Sequence, residues 1–210
     1  HSRNKLVDPK VDYEALAKRT VGFSGADIEI PSTYNGLPVV GIADKAFENC
    51  TWLQSVIIGD NVENIGENAF YSCTNIRNVT IGKNVKSIGN YAFNSDIVEV
   101  YNKSSLNIIA GASDNSRVAI NAKNVYTQEG GSKLKIDKNG FVIYDNTTLI
   151  DYIGNSTDII IPKGIKTIDR RSLSRITLTK VVISANVTKI YALPGNGGIA
   201  MDAECIQIGT

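Results

Sequence analysis

Residues 55–76, SVIIGDNVENIGENAFYSCTNI, and residues 78–95, NVTIGKNVKSIGNYAFNS, are two copies of one pattern offset by 23 positions. Superposed, they place Val56 over Val79, Ile58 over Ile81, Val62 over Val85, Ile65 over Ile88 and Ala69-Phe70 over Ala92-Phe93. Ala46-Phe47, with Ile42 and Cys50 in phase, lies one period upstream. Fixed apolar landmarks at such a period mean a solenoid, in which each unit buries its apolar face only against its neighbours. The search for function therefore moves from a pocket to an extended surface.

Within one period, Leu53-Gln54-Ser55-Val56-Ile57-Ile58 alternates as a strand with one buried face must. Gly59-Asp60-Asn61 and Gly82-Lys83-Asn84 follow, residue types that accept a tight turn. A second short extended stretch runs from Val62 to Ile65, and a helical turn is expected around Ala69-Phe70, its ring plugging the coil. Each rung thus reads as strand, turn, strand, short helix, a β-rich α/β solenoid.

The pattern returns downstream. Ile161, Ile165, Ile168 and Ser172-Leu173 reproduce the spacing of Ile81, Val85, Ile88 and Ala92-Phe93, and Leu178, Val181, Ile183, Val187 and Ile190 begin another unit 22 residues on. Asp27-Ile28-Glu29-Ile30-Pro31 and Asp158-Ile159-Ile160-Ile161-Pro162 open the two blocks alike. The expected division is a capping segment at 1–26, a first repeat block at 27–100, a non-repeat insertion or joint at 101–157, a second block at 158–193, and a loop with the start of a further rung at 194–210. Within the insertion, Ser116 to Val125 is expected to form a short helix, and residues 133–154 to alternate as strands about an Asn139-Gly140 hairpin turn. Cys205-Ile206-Gln207-Ile208-Gly209 matches Ser55 to Gly59. An uncapped rung at that point predicts either a truncated chain or an edge that pairs with another molecule.

Composition excludes several classes. Lys and Arg number 22 against 21 Asp and Glu, a formal net charge of +1, with no like-charge block of the kind that recognises nucleic acid or a membrane surface. No apolar run reaches the ~18–20 residues of a membrane span, and HSRNKLVDPK is not a signal peptide. The one histidine, His1, cannot build a nucleophilic triad, and three cysteines without a neighbouring histidine do not make a zinc site. Asp137-Lys138-Asn139-Gly140 begins like a calcium loop but has Thr148 where the distal Glu belongs, so a hairpin turn explains it better. Gly195-Asn196-Gly197-Gly198 lacks the Lys and Ser/Thr of a phosphate loop. No catalytic residue, metal or cofactor is expected.

Cys50 and Cys73 share one phase on adjacent rungs, roughly 5 Å apart. A disulfide is geometrically conceivable there, but a ladder of small buried thiols is the preferred reading. Six Asn-x-Ser/Thr sequons, at Asn49, Asn78, Asn102, Asn146, Asn155 and Asn186, are read as chance in an Asn- and Thr-rich chain.

The candidate binding surface is the outward row of the stacked strands. With the buried pairs fixed, it consists of Glu29, Ile57, Thr80, Glu99, Ile160, Val182 and Gln207. Ile57, Ile160 and Val182 are apolar where water favours polar side chains. Such a row marks a protein-binding surface, or else the insertion or a neighbouring domain covers it.

The Val-x-Ile strand, the Val-x-x-Ile-Gly step and the Ala-Phe-x-x-Cys knob resemble the BspA-type leucine-rich repeat family. The matching text is VENIGENAFYSCTNIRNVTIGKNVKSIGNYAF at 62–93, with IPSTYNGLPVVGIADKAFENC at 30–50 similar to a longer opening repeat. The resemblance covers most of 27–100 and 141–193 and departs at Arg171-Ser172-Leu173 and at 94–96. It implies a right-handed leucine-rich-repeat coil and a non-enzymatic bacterial or protist surface protein, secreted or held at the cell surface. The implied role is recognition and adhesion toward host or microbial proteins or glycans. It carries over no catalytic residue and identifies no ligand. A structural spacer, or an accessory domain of a larger enzyme, is the alternative. Separately, residues 11–27, VDYEALAKRTVGFSGAD, resemble a segment near the end of the AAA+ module of FtsH-type proteases. No GxxxxGK[ST] phosphate loop accompanies it, so the segment is read as a helix and strand capping the solenoid.

Overall fold

The computed structural model describes residues 26–93, 95–170, 172–173, 177–191 and 205–208. Of the capping segment expected at 1–26, residues 1–25 lie outside the described residues, as does the glycine loop at 195–198, and Ala26 opens the first strand. The chain divides into two compact units, residues 1–132 and 133–210.

In the first unit, five parallel strands, Ala26–Ile30, Leu53–Ile58, Asn78–Ile81, Glu99–Asn102 and Asn124–Tyr126, stack side by side in chain order. The repeat sets the register: Val56 pairs with Val79 and Val79 with Val100. Parallel in-register stacking buries the same position on every rung, which is why Ile28, Val56, Val79 and Val100 are all fully enclosed. A second parallel ladder joins Gly41–Ile42, Asn64–Ile65 and Ser87–Ile88.

The third side of each rung is not the short helix expected at Ala69-Phe70. Asn68 and Ser72 take φ of 55° and 59°, a left-handed geometry that no α-helix accepts. The backbone donors there point to the next rung: Phe47 N–H to Ala69 O at 2.7 Å, Phe70 N–H to Ala92 O at 2.8 Å and Asn68 N–H to Asn90 O at 2.9 Å. Phe70 and Phe93 form a parallel bridge. The rings of Phe47, Phe70 and Phe93 stack at 5.0 and 4.9 Å with interplanar angles of 2° and 7°, an aromatic spine along the inside of the coil.

The helix expected over Ser116 to Val125 does not form either. Asn115, Ser116 and Arg117 have φ of 48°, 54° and 65°, so only a single 3-10 turn is made. The chain then enters Asn124–Tyr126, which pairs with Glu99–Tyr101 and extends the ladder beyond residue 100. The architecture is therefore a β-solenoid, and among the described residues that turn is its one helical element.

In the second unit, Leu134–Ile136 and Phe141–Tyr144 form an antiparallel hairpin. Its turn holds Asn139 and Gly140, the latter at φ 89°, and Asp137 Oδ1 accepts the Asn139 and Phe141 N–H groups at 2.9 Å each. The Asp137 carboxylate is thus spent on turn geometry, as the hairpin reading of this loop requires. Phe141–Tyr144 pairs in turn with Thr148–Tyr152 through Asp145 and Asn146 at φ 50° and 58°. Thr148–Tyr152 then starts a parallel ladder with Thr167–Ile168 and Lys189–Ile190. Asp158–Ile160, Lys180–Ile183 and Cys205–Ile208 make the other ladder, so the rung strand expected at 205–208 is present. Leu173 fills the knob position, buried.

Candidate functional site

The outward row of the first unit is set by register. Glu29 pairs with Ile57, Ile57 with Thr80, Thr80 with Tyr101, and Tyr101 with Tyr126. Ile57 is 38% exposed although its neighbours Val56 and Ile58 are buried. In the second unit Ile160 pairs with Val182 and Val182 with Gln207, and Ile160 is 71% exposed. Ile57, Thr80, Ile160 and Val182 hold the positions the repeat assigns them.

Glu99 does not. It pairs with Asn78, one row over, and is 1% exposed. The expectation followed the buried pair Val98 and Val100, but the pair in register with Val79 and Ile81 is Val100 and Asn102. Asn102 is a polar residue in an inward slot, and local bonds make that tolerable: its Nδ2 donates to Leu106 O at 2.8 Å, and its Oδ1 accepts the Ser104 N–H and Oγ–H at 3.1 and 2.7 Å. The Glu99 carboxylate accepts Asn124 Nδ2 at 3.1 Å and the Ser132 Oγ–H at 2.6 Å, and Asn124 Nδ2 also reaches Gly131 O at 2.9 Å. The chain after Tyr126 thereby folds back over this row. Beside Glu99, the amide Oδ1 of Asn78 is buried with no hydrogen-bond partner.

Tyr101, missed by sequence reasoning, is with Tyr126 one of two aromatics in the outward row. Its ring stacks on Tyr126 at 4.9 Å and 8°. Burial, and then the Glu99 charge, push the Tyr126 phenol above its usual range. The signal lay in the repeated Val100-Tyr101 and Val125-Tyr126 pairs. Along the same strands, Lys103 Nζ meets Asp60 Oδ1 at 2.6 Å, spanning two rungs, and this hydrogen bond holds the Asp60 carboxyl below the usual carboxylate range. At the first rung, burial outweighs a Ser55 hydrogen bond and raises the Asp27 carboxyl.

Cys50 and Cys73 are not bridged to each other. Both are free thiols, and Cys73 Sγ donates to Phe47 O at 2.9 Å inside the coil. Burial pushes the Cys73 thiol up to about 12. A thiol that does not ionise is a poor nucleophile, and the pair serves packing. Among the described residues no group of three or more His, Cys, Asp or Glu side chains is gathered to hold a metal ion. No helix among them is long and apolar enough to cross a membrane.

Residues 24–118 and 123–193 match the BspA type leucine rich repeat region in six copies, and the chain belongs to this family. The family is typically non-enzymatic. Solved structures similar to this chain include the pneumococcal vaccine antigen PcpA, 18% identical with a TM-score of 0.40 over 88% of this chain and 50% of that one. A leucine rich cell surface protein from Faecalibacterium prausnitzii is 20% identical with a TM-score of 0.32, over 86% of this chain and 60% of that one. Two short stretches match ATP-dependent zinc metalloproteases FtsH. One is 46% identical over 46 residues to that of Ureaplasma parvum, and the other 64% identical over 28 residues to that of Rhodococcus erythropolis. The chain spans 6% and 3% of those proteases, and matches this short do not show catalysis.

Proposed function

We propose that this chain is a non-enzymatic recognition module of a cell-surface or secreted protein, binding an extracellular macromolecule along the outward faces of its stacked strands and so serving adhesion. The observation that carries the reading is the exposure of Ile57, set between the polar Glu29 and Thr80, and above all of Ile160, which extends an apolar row with Val182. Unpaired apolar side chains on a rigid, preorganised sheet contribute to binding without an ordering cost. Family membership supports a repeat module specialised for contacts with other proteins.

The test is a binding screen of the chain against immobilised extracellular-matrix proteins and glycans, with Ile57→Ser and Val182→Ser alongside. Saturable binding that weakens in the variants supports the reading. Binding to nothing in the screen favours a structural spacer, in which no outward residue matters, and binding indifferent to both substitutions removes the outward rows from the account.

A further inference from the structure

We infer that the first unit carries a subsite for a neutral sugar ring, set between Ile57 and Tyr101 above Thr80. This deepens the recognition reading and rests on it. Three rungs build the site. Ile57 and Tyr101 both pair with Thr80, from opposite sides, and so stand two strand spacings apart, about 9.6 Å. Thr80 ends at Oγ1 and Cγ2, and Gly82, two residues on and just past the end of its strand, adds no side chain. The middle rung is therefore low, and an opening about one ring thick remains between the two taller side chains.

The wall on one side is aromatic. One face of Tyr101 is taken by Tyr126, and the other looks along the ladder over the short Thr80. The face of a phenol ring is electron-rich and the C–H bonds of a pyranose carry slight positive charge, so a sugar with axial hydrogens lies flat on such a face. The opposite wall, Ile57, is apolar and exposed.

The polar groups around the opening select for charge. Lys103 and Asp60, two rungs apart and joined at 2.6 Å, span the same three rungs along the strand ends. The pair offers a donor and an acceptor with no net charge. Among the described residues the Thr80 backbone is held in the ladder but its hydroxyl has no hydrogen-bond partner, which leaves it for a ligand. The remaining exposed charges nearby, Glu29 and Lys83, are of opposite sign, so the surroundings favour an ion of neither sign. A hydroxyl-rich neutral ring satisfies donor and acceptor together, the combination of apolar walls and few placed polar groups that defines a small-molecule site.

The test titrates the whole chain with cellotriose and with triacetylchitotriose, neutral β-linked sugars with flat C–H faces, following ligand signals by saturation-transfer NMR and heats by calorimetry. Saturable binding in the millimolar range is expected. Tyr101→Phe retains it, Tyr101→Ala weakens it about ten-fold, and Thr80→Tyr abolishes it by filling the opening while extending the tyrosine stack. Thr80→Tyr keeps the test decisive if Tyr101→Ala fails to fold. No binding of either sugar, binding unaffected by Thr80→Tyr, or binding only to a lysine-rich peptide or a sulfated glycan run as controls overturns the subsite. If the immobilised screen yields an Ile57-dependent partner while the sugars do not bind, the subsite fails and the recognition reading stands.

Discussion

Truncating the central ring of the aromatic spine, Phe70→Ala, is expected to remove most of the stability of the first unit. Phe70 is wholly buried and stacks on Phe47 at 5.0 Å and on Phe93 at 4.9 Å. Losing a buried phenylalanine costs about 3–5 kcal/mol through lost transfer energy and the cavity left behind. Two stacks at near-zero interplanar angle place the cost at the top of that range, because each aromatic pair is worth about 0.5–1.5 kcal/mol beyond its area. Among the described residues Phe93 stacks on Phe70 alone, so Phe93→Ala should cost about 1 kcal/mol less than Phe70→Ala. Domains are stable by roughly 5–15 kcal/mol, so the central truncation is a large fraction of the total. Urea denaturation followed by circular dichroism gives the comparison, with Ile57→Ser as the outward control expected to shift stability by no more than about 0.5 kcal/mol. If Phe70→Ala costs under about 2 kcal/mol, or no more than Phe93→Ala, the ring is not gripped on both faces and the spine is refuted.

Gly82→Ala should destabilise by about 1–3 kcal/mol, since a Cβ there would lie 2.3 Å from the Gly59 carbonyl oxygen, and a melting temperature equal to wild type would show that the rungs can part. Asn78→Val should leave stability unchanged or raise it by about 1 kcal/mol, because it removes a buried acceptor without a partner from a strand where a β-branched residue fits; a clear loss in a thermal melt would reveal a bonded role. The Cys73 thiol, protonated until about 12, should resist alkylation at neutral pH in the folded chain and react once urea unfolds it. Its folded pKa lies above the unfolded value near 9, so the folded state holds its proton more tightly. Stability from this group is intact below about pH 9 and lost between pH 9 and 12, and a Cys73→Ala variant should flatten that decline in denaturation measured against pH.

The parts of this architecture legible in the sequence are those the period dictates. Val56, Val79, Ile58 and Ile81 announce their register because parallel stacking repeats one environment at one position. The third side of each rung was misread because Ala69-Phe70 is flanked by residues whose helix propensity says nothing about inter-rung bonding. The clue was faint: of the two left-handed corners on this side, Asn49 and Asn68 are a residue type that tolerates positive φ, but one period away the same corners hold Ser72 in place of Asn49, and Lys45 and Tyr91 in place of Asn68. The candidate surface was legible at Ile57, Thr80, Ile160 and Val182 but slipped by two residues at Glu99. There the inward slot holds Asn102, whose burial depends on side-chain hydrogen bonds to residues 104 and 106 that no hydrophobic pattern announces. The Asp60–Lys103 pair joins residues 43 apart and was invisible for the same reason: it follows from the register and not from local spacing.

The composition of the outward row, on which both the recognition surface and the sugar subsite depend, is tested most directly by trapping it with disulfides. Thr80→Cys combined with Tyr101→Cys places the two thiols on register partners, whose Cα atoms are about 4.8 Å apart, within bridging range. Thr80→Cys with Glu99→Cys sets them two residues out of register, about 8 Å apart and beyond it. After mild oxidation and peptide mapping by mass spectrometry, the account predicts a bridge in the first double variant and none in the second. A bridge between positions 80 and 99 would contradict it.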